Sequence, residues 1–129
     1  MEQLAPNSPE FVPVMKADDV REGVVTGAEV TLGETKVPLV LMRKGREILA
    51  LNGTCSHLGG PLAEGKLVDE WCVECPWHAS RFDFRDGAVT QGPAAYAQPR
   101  FQARISGDMV EVRPMDSPAD VVDRLLSST

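Results

Sequence analysis

Short runs of apolar positions, broken by Gly, Asp, Asn and Ser every eight to twelve residues, run through most of this chain. That rhythm is the signature of many short strands and predicts an all-β domain. Strands are expected over residues 11–15, 37–42, 47–51, 65–68, 71–74, 81–84, 88–90, 101–105 and 109–112, with β-branched runs at 24–25 and 28–32 separated by Gly27. A turn of helix fits 18–20. Arg43-Lys44-Gly45-Arg46 and Ser106-Gly107-Asp108 read as hairpin turns, and Asp69-Glu70 and Asp86-Gly87 as further reversals.

The two ends differ in kind. Pro6, Asn7, Ser8 and Pro9 mark residues 1–10 as a flexible tail. Near the other end, Ser117 is placed to cap a helix with Pro118 at its first position and Asp120 in its first turn, and Val121, Val122, Leu125 and Leu126 follow at helical spacing. Residues 114–129 are therefore expected to form a short helix, either docked on the sheet or offering its apolar stripe to a partner. Between them, residues 11–113 make one domain. A chain of this size buries about two-thirds of its unfolded surface and can hold a core of its own.

Charge and cysteine usage narrow the function. The 129 residues carry 13 Lys and Arg against 19 Asp and Glu, a formal charge of −6. Such a surface repels nucleic acid and anionic membrane and favours a basic partner. Residues 1–25 lack a basic start followed by an apolar run, and nowhere does the chain reach the roughly 18 apolar residues of a membrane span, so direct membrane insertion is not expected and a cytoplasmic location is. No general base, activated serine or phosphate loop is apparent, and catalysis by this chain alone is not expected.

The chemistry concentrates in two stretches, Cys55-Ser56-His57-Leu58 and Cys75-Pro76-Trp77-His78, which place both histidines of the chain beside two of its three cysteines. Residues two apart on an extended segment share a face, so Cys55 and His57 can reach one site, and the three-residue spacing does the same for Cys75 and His78 in a turn. Seventeen residues lie between His57 and Cys75, enough for the chain to leave one loop and return as the other. Two thiols and two imidazoles satisfy either a tetrahedral zinc or a two-iron cluster with two cysteines on one iron and two histidines on the other. Zinc fingers pair cysteine with cysteine and histidine with histidine. Here each pair is mixed, which lets each loop give one ligand to each iron. The third cysteine, Cys72, forms C-x-x-C with Cys75, but no βαβ pattern surrounds it and it reads as a small apolar residue on a strand.

These residues resemble the Rieske [2Fe-2S] family, whose pattern is C-x-H, a spacer of about 15 to 17 residues, and C-x-x-H. Gly92-Pro93-Ala94 is similar to the proline loop that covers the cluster in that family, and the likeness extends over about 11–113. The resemblance implies a Rieske-type antiparallel β-sandwich with a small cluster-binding subdomain, about 53–98. It implies one [2Fe-2S] cluster with Cys55 and Cys75 on the inner iron and His57 and His78 on the outer. Ser80 and Pro93 would support these ligands from behind.

Respiratory members of the family carry an extra cysteine in each loop, joined as a disulfide; Gly60 and Trp77 stand at those positions here. They also place a serine and a tyrosine two and four residues after the second histidine. This chain keeps Ser80 but has Phe82. With fewer hydrogen bonds to the reduced cluster, the potential is expected in the lower half of the Rieske range of about −150 to +300 mV.

Function follows from the same resemblance: a one-electron carrier of the ferredoxin type, passing electrons from a flavin-dependent reductase to a terminal oxygenase of dioxygenase type. The alternatives are a small subunit of nitrite reductase, an appended Rieske domain of a larger or membrane redox protein, or a structural zinc domain. Leu58, Pro61, Leu62, Pro76 and Trp77 form an apolar rim around the proposed ligands. Leu58 and Leu62 either join a docking face or pack inward over the cluster, and Trp77 is best suited to partner contact.

Overall fold

The computed structural model of the protein describes residues 10–55, 59–92 and 96–115. His57, Leu58, Pro93, Ala94, residues 1–9 of the expected tail and residues 116–129 of the expected helix lie outside the described residues.

The apolar runs and turn signals produce ten strands among the described residues: β1 (Val12–Lys16), β2 (Thr26–Leu32), β3 (Thr35–Lys44), β4 (Glu47–Asn52), β5 (Lys66–Val68), β6 (Cys72–Glu74), β7 (Arg81–Asp83), β8 (Val89–Gln91), β9 (Arg100–Ser106) and β10 (Met109–Pro114). Short 3-10 turns occupy Ala17–Asp19 and Leu62–Glu64. The larger sheet runs in the order β1-β10-β9-β4-β3-β2, the smaller β5-β6-β7-β8, and every pairing is antiparallel. Its edge strands β1 and β2 touch, so the larger sheet curls around its own core.

Strand β3 shows why two cores form. Leu39, Val40, Leu41 and Met42 are all buried, without the polar alternation of a half-exposed strand. Leu39 and Leu41 point into the curl with Val30, Ile48, Ala50, Phe101, Val110 and Val112. Val40 and Met42 point the other way, with Leu51, into a second core shared with Val73 and Phe82 of the smaller sheet, with Phe84 just beyond β7, and with Cys55 and Cys75. The two sheets are thus layers of one sandwich, and the two thiols sit in the seam. At the edge of that seam, Lys44 and the Arg85 guanidinium lie 5.2 and 4.9 Å from the centre of the Trp71 ring. Both cations add attraction to the ring face.

Three two-residue hairpins join β2 to β3, β3 to β4 and β9 to β10, each with a glycine of positive φ at its first turn position: Gly33, Gly45 and Gly107. Gly27 behaves differently from its expected role as a separator. It lies inside β2, where an added Cβ would come within 2.7 Å of the Ala63 side chain. Its missing side chain lets the Leu62–Glu64 turn press against β2. Val24 stays outside the strand and is half exposed.

Candidate metal centre

Strand β4 delivers the first loop. Gly53 passes so close to β3 that a Cβ there would meet the Leu39 backbone at 3.0 Å, and its N–H donates to the Pro38 carbonyl at 2.9 Å. Asn52 Oδ1 then accepts the Thr54 N–H at 2.8 Å, turning the chain toward Cys55. The loop closes on itself: the Cys55 N–H donates to the Gly60 carbonyl at 2.8 Å, and the Gly59 N–H to the Cys55 carbonyl at 2.9 Å.

Strands β6 and β7 carry the second loop, and it closes in the same way. The Cys75 N–H donates to the Ser80 carbonyl at 2.8 Å, and the Ala79 N–H to the Cys75 carbonyl at 3.1 Å. Each loop therefore runs six residues from its cysteine, with the fifth in the left-handed region: Gly59 at φ 82° and Ala79 at φ 64°. For Ala79 this conformation costs roughly 1–2 kcal/mol, which the closed ring of hydrogen bonds sustains. Equal closures in two loops give equivalent frames for Cys55 and Cys75.

The described candidate residues divide by depth. Cys55 and Cys75 are 3% exposed, lie in one apolar cluster and form no disulfide. Ser80 is fully buried, while His78 is exposed on the second loop. The loops also touch: a Cβ on Gly60 would stand 2.7 Å from Cys75 Sγ and 3.1 Å from the Trp77 ring. Trp77 itself is 55% exposed, Pro76 is exposed and Pro61 half-buried. Leu62, by contrast, is fully buried and packs inward with Val73 and Phe82. Glu64 is exposed at the end of the first loop, and Lys66, Glu74, Arg81 and Asp69 form ion pairs at 3.6–3.8 Å, with Glu74 and Arg81 flanking the second loop.

Cys72 stands apart. It is buried on β6 with its Sγ 3.8 Å from Thr90 Oγ1, and burial pushes its thiol above the usual range. Cys75 belongs to the apolar cluster at the seam and Cys72 does not, so the C-x-x-C spacing does not pair them.

The donor set fits a thiolate- and imidazole-held cluster on its chemistry: two soft thiols secluded from water at the seam and an imidazole at the surface on the loop of one of them. Sequence reasoning missed Gln91 and Gln98, whose side chains fasten the two loops from outside the ligand motifs. No local signal marks them.

Comparison with known proteins agrees with this geometry. The family profile described as "Rieske [2Fe-2S] domain" matches residues 10–102. The carotenoid φ-ring synthase of Chlorobaculum tepidum is 31% identical over 102 residues, 79% of this chain, but the chain spans only 15% of that protein. The 3-phenylpropionate/cinnamic acid dioxygenase ferredoxin subunit of Escherichia coli K12 is 32% identical over 101 residues, 74% of this chain and 91% of the subunit. Among solved structures, the ferredoxin of carbazole 1,9a-dioxygenase from Nocardioides aromaticivorans IC177 superposes with a TM-score of 0.71 at 28% identity, covering 82% of this chain and 99% of that one. Among the described residues no helix is long and apolar enough to cross a membrane. With a profile match over most of its length and two matched loops around secluded thiols, the chain belongs to the Rieske [2Fe-2S] family and is an electron carrier built on one such cluster.

Proposed function

We propose that Cys55 and Cys75 hold the inner iron and His57 and His78 the outer, with Ser80 and Pro93 supporting them. In this reading the chain passes single electrons in the cytoplasm from a flavin-dependent reductase to a terminal oxygenase. The observation that carries the ligand assignment is the shared closure of the two loops, with both cysteines buried and His78 outside.

When bound, the cluster supplies reversible one-electron chemistry with little rearrangement of its ligands. The chain's own residues do the rest. Closed backbone rings keep the cysteines fixed, and Val73, Phe82 and Leu62 exclude water from their side. Pro76 and Trp77 present an apolar surface beside His78 on the second loop, suited to a small, quickly released contact. The residues that carry this function fall within 11–113. The match to a short part of a much longer synthase favours a second reading, in which such a domain serves as an appendage of a larger redox protein.

Pulsed EPR of the reduced protein tests the ligand set. Nitrogen couplings from two imidazoles are expected, with one lost in His78→Cys. A reduced centre without nitrogen coupling overturns it.

A further inference from the structure

Two glutamines, one at each end of residues 91–98, fasten different ligand loops. Gln91, the last residue of β8, donates from Nε2 to the Ala79 carbonyl at 2.9 Å. Ala79 is the left-handed residue that closes the second loop onto Cys75. Gln98 is fully buried, and its Nε2 donates to the carbonyls of Asn52 and Thr54, both at 2.7 Å. The Thr54 carbonyl belongs to the same peptide unit as the Cys55 N–H that closes the first loop.

The backbone around Gln98 is held as firmly. Its N–H donates to the Gly87 carbonyl at 2.8 Å, and the neighbouring Pro99 carbonyl accepts the Asn52 N–H at 2.9 Å. A Cβ on Gly87 would meet the Gln98 carbonyl at 2.4 Å, so only glycine admits this approach. Glutamine is mostly an exposed residue, and burying its amide costs free energy unless its donors are used. Here both donors are. Gln91 differs: its contact is exposed, and water could satisfy the Ala79 carbonyl equally well, so the bond matters for position rather than for satisfaction.

We infer that Gln91 and Gln98 act as a pair of positioning residues that set the separation and mutual orientation of the two ligand loops. This rests on the ligand reading above. Neither glutamine is among the proposed ligands. Each acts on the backbone ring that orients one cysteine, and the Gln98 backbone is tied through Gly87 and Asp83 to the smaller sheet that carries Gln91. Groups that orient metal ligands from behind typically change metal retention about 10- to 100-fold when removed.

The test uses the full chain loaded with its cluster, comparing wild type with Gln91→Ala, Gln98→Leu and, as a remote control, Val112→Ala in the other core. The readouts are visible circular dichroism of the charge-transfer bands, the rate of bleaching by a chelator well below the melting temperature, and the unfolding midpoint. Gln91→Ala should bleach about 10-fold faster or more with altered dichroism and an unchanged midpoint. Gln98→Leu should show the same signature together with a lower midpoint. Val112→Ala should lower the midpoint and leave the dichroism as in wild type. Wild-type dichroism and bleaching in Gln91→Ala overturn the pairing, even if Gln98→Leu does not fold. Altered dichroism in the Val112→Ala control overturns it as well, since the signature would then report stability alone. A wild-type chain that takes up no iron and sulfide overturns the ligand reading instead.

Discussion

Gly60 is the point at which the two loops meet, and Gly60→Ala puts the geometry of that meeting to the test. The added Cβ would lie 2.7 Å from Cys75 Sγ, where non-bonded carbon contacts settle at about 3.5–4.0 Å, so a relief of about 1 Å is required. The Trp77 ring, at 3.1 Å, is more than half exposed and can swing outward at little cost. The thiol cannot, because Cys75 is buried and its backbone is locked in the closed loop. Overpacking of this kind costs about 1–3 kcal/mol. The expected result is a loss of that size in urea unfolding at constant m-value, together with a lower iron content per folded chain. Adding Trp77→Ala to Gly60→Ala should not restore either quantity, since the closer clash is with sulfur. Wild-type stability and iron content in Gly60→Ala would refute the reasoning, and full rescue by the second substitution would move the clash to the indole.

Other outcomes follow from single contacts. Phe82 is fully buried where higher-potential members of the family carry a tyrosine, so Phe82→Tyr should raise the midpoint potential in a redox titration; an equal or lower value counts against a missing hydrogen bond. Trp71→Ala removes the ring that two cations approach at the sheet seam and should cost about 2 kcal/mol in unfolding. The Arg85 guanidinium, hydrogen-bonded to Asp83 at 2.8 and 3.0 Å, holds that carboxyl below its usual range. Its stabilisation is therefore complete above the unfolded pKa of about 3.9 and is lost as pH falls through the lower folded value. Urea unfolding of Asp83→Asn and wild type should differ at pH 7 and converge in stronger acid; a constant gap would deny the linkage.

Much of this was legible in the chain because local rules governed it. Apolar and β-branched runs between turn signals located most of the strands to within a residue or two, and the hairpins at 43–46 and 106–108 form where their glycines allow a positive φ. The C-x-H and C-x-x-H spacing pointed to the loops and to the family whose profile the chain matches. Features that depend on contacts between distant residues were not readable. Gly27 read as a break in a strand, since nothing nearby announces that Ala63 will press on it. Leu62 was left between rim and interior because its burial is decided by that same approach and by the second sheet. Ala79 bears no mark of its left-handed backbone, which the ring of hydrogen bonds imposes. Gln98 reaches back 46 residues to Asn52 and 44 to Thr54, beyond any local pattern.

The most direct test of the electron-carrier assignment is the metal and sulfide content of anaerobically purified protein, measured alongside a redox titration of its visible spectrum. Two irons and two acid-labile sulfides per chain are predicted, reduced reversibly by one electron at a potential in the lower half of the range of about −150 to +300 mV. Zinc in place of iron, or a chain without sulfide after reconstitution, would contradict the account.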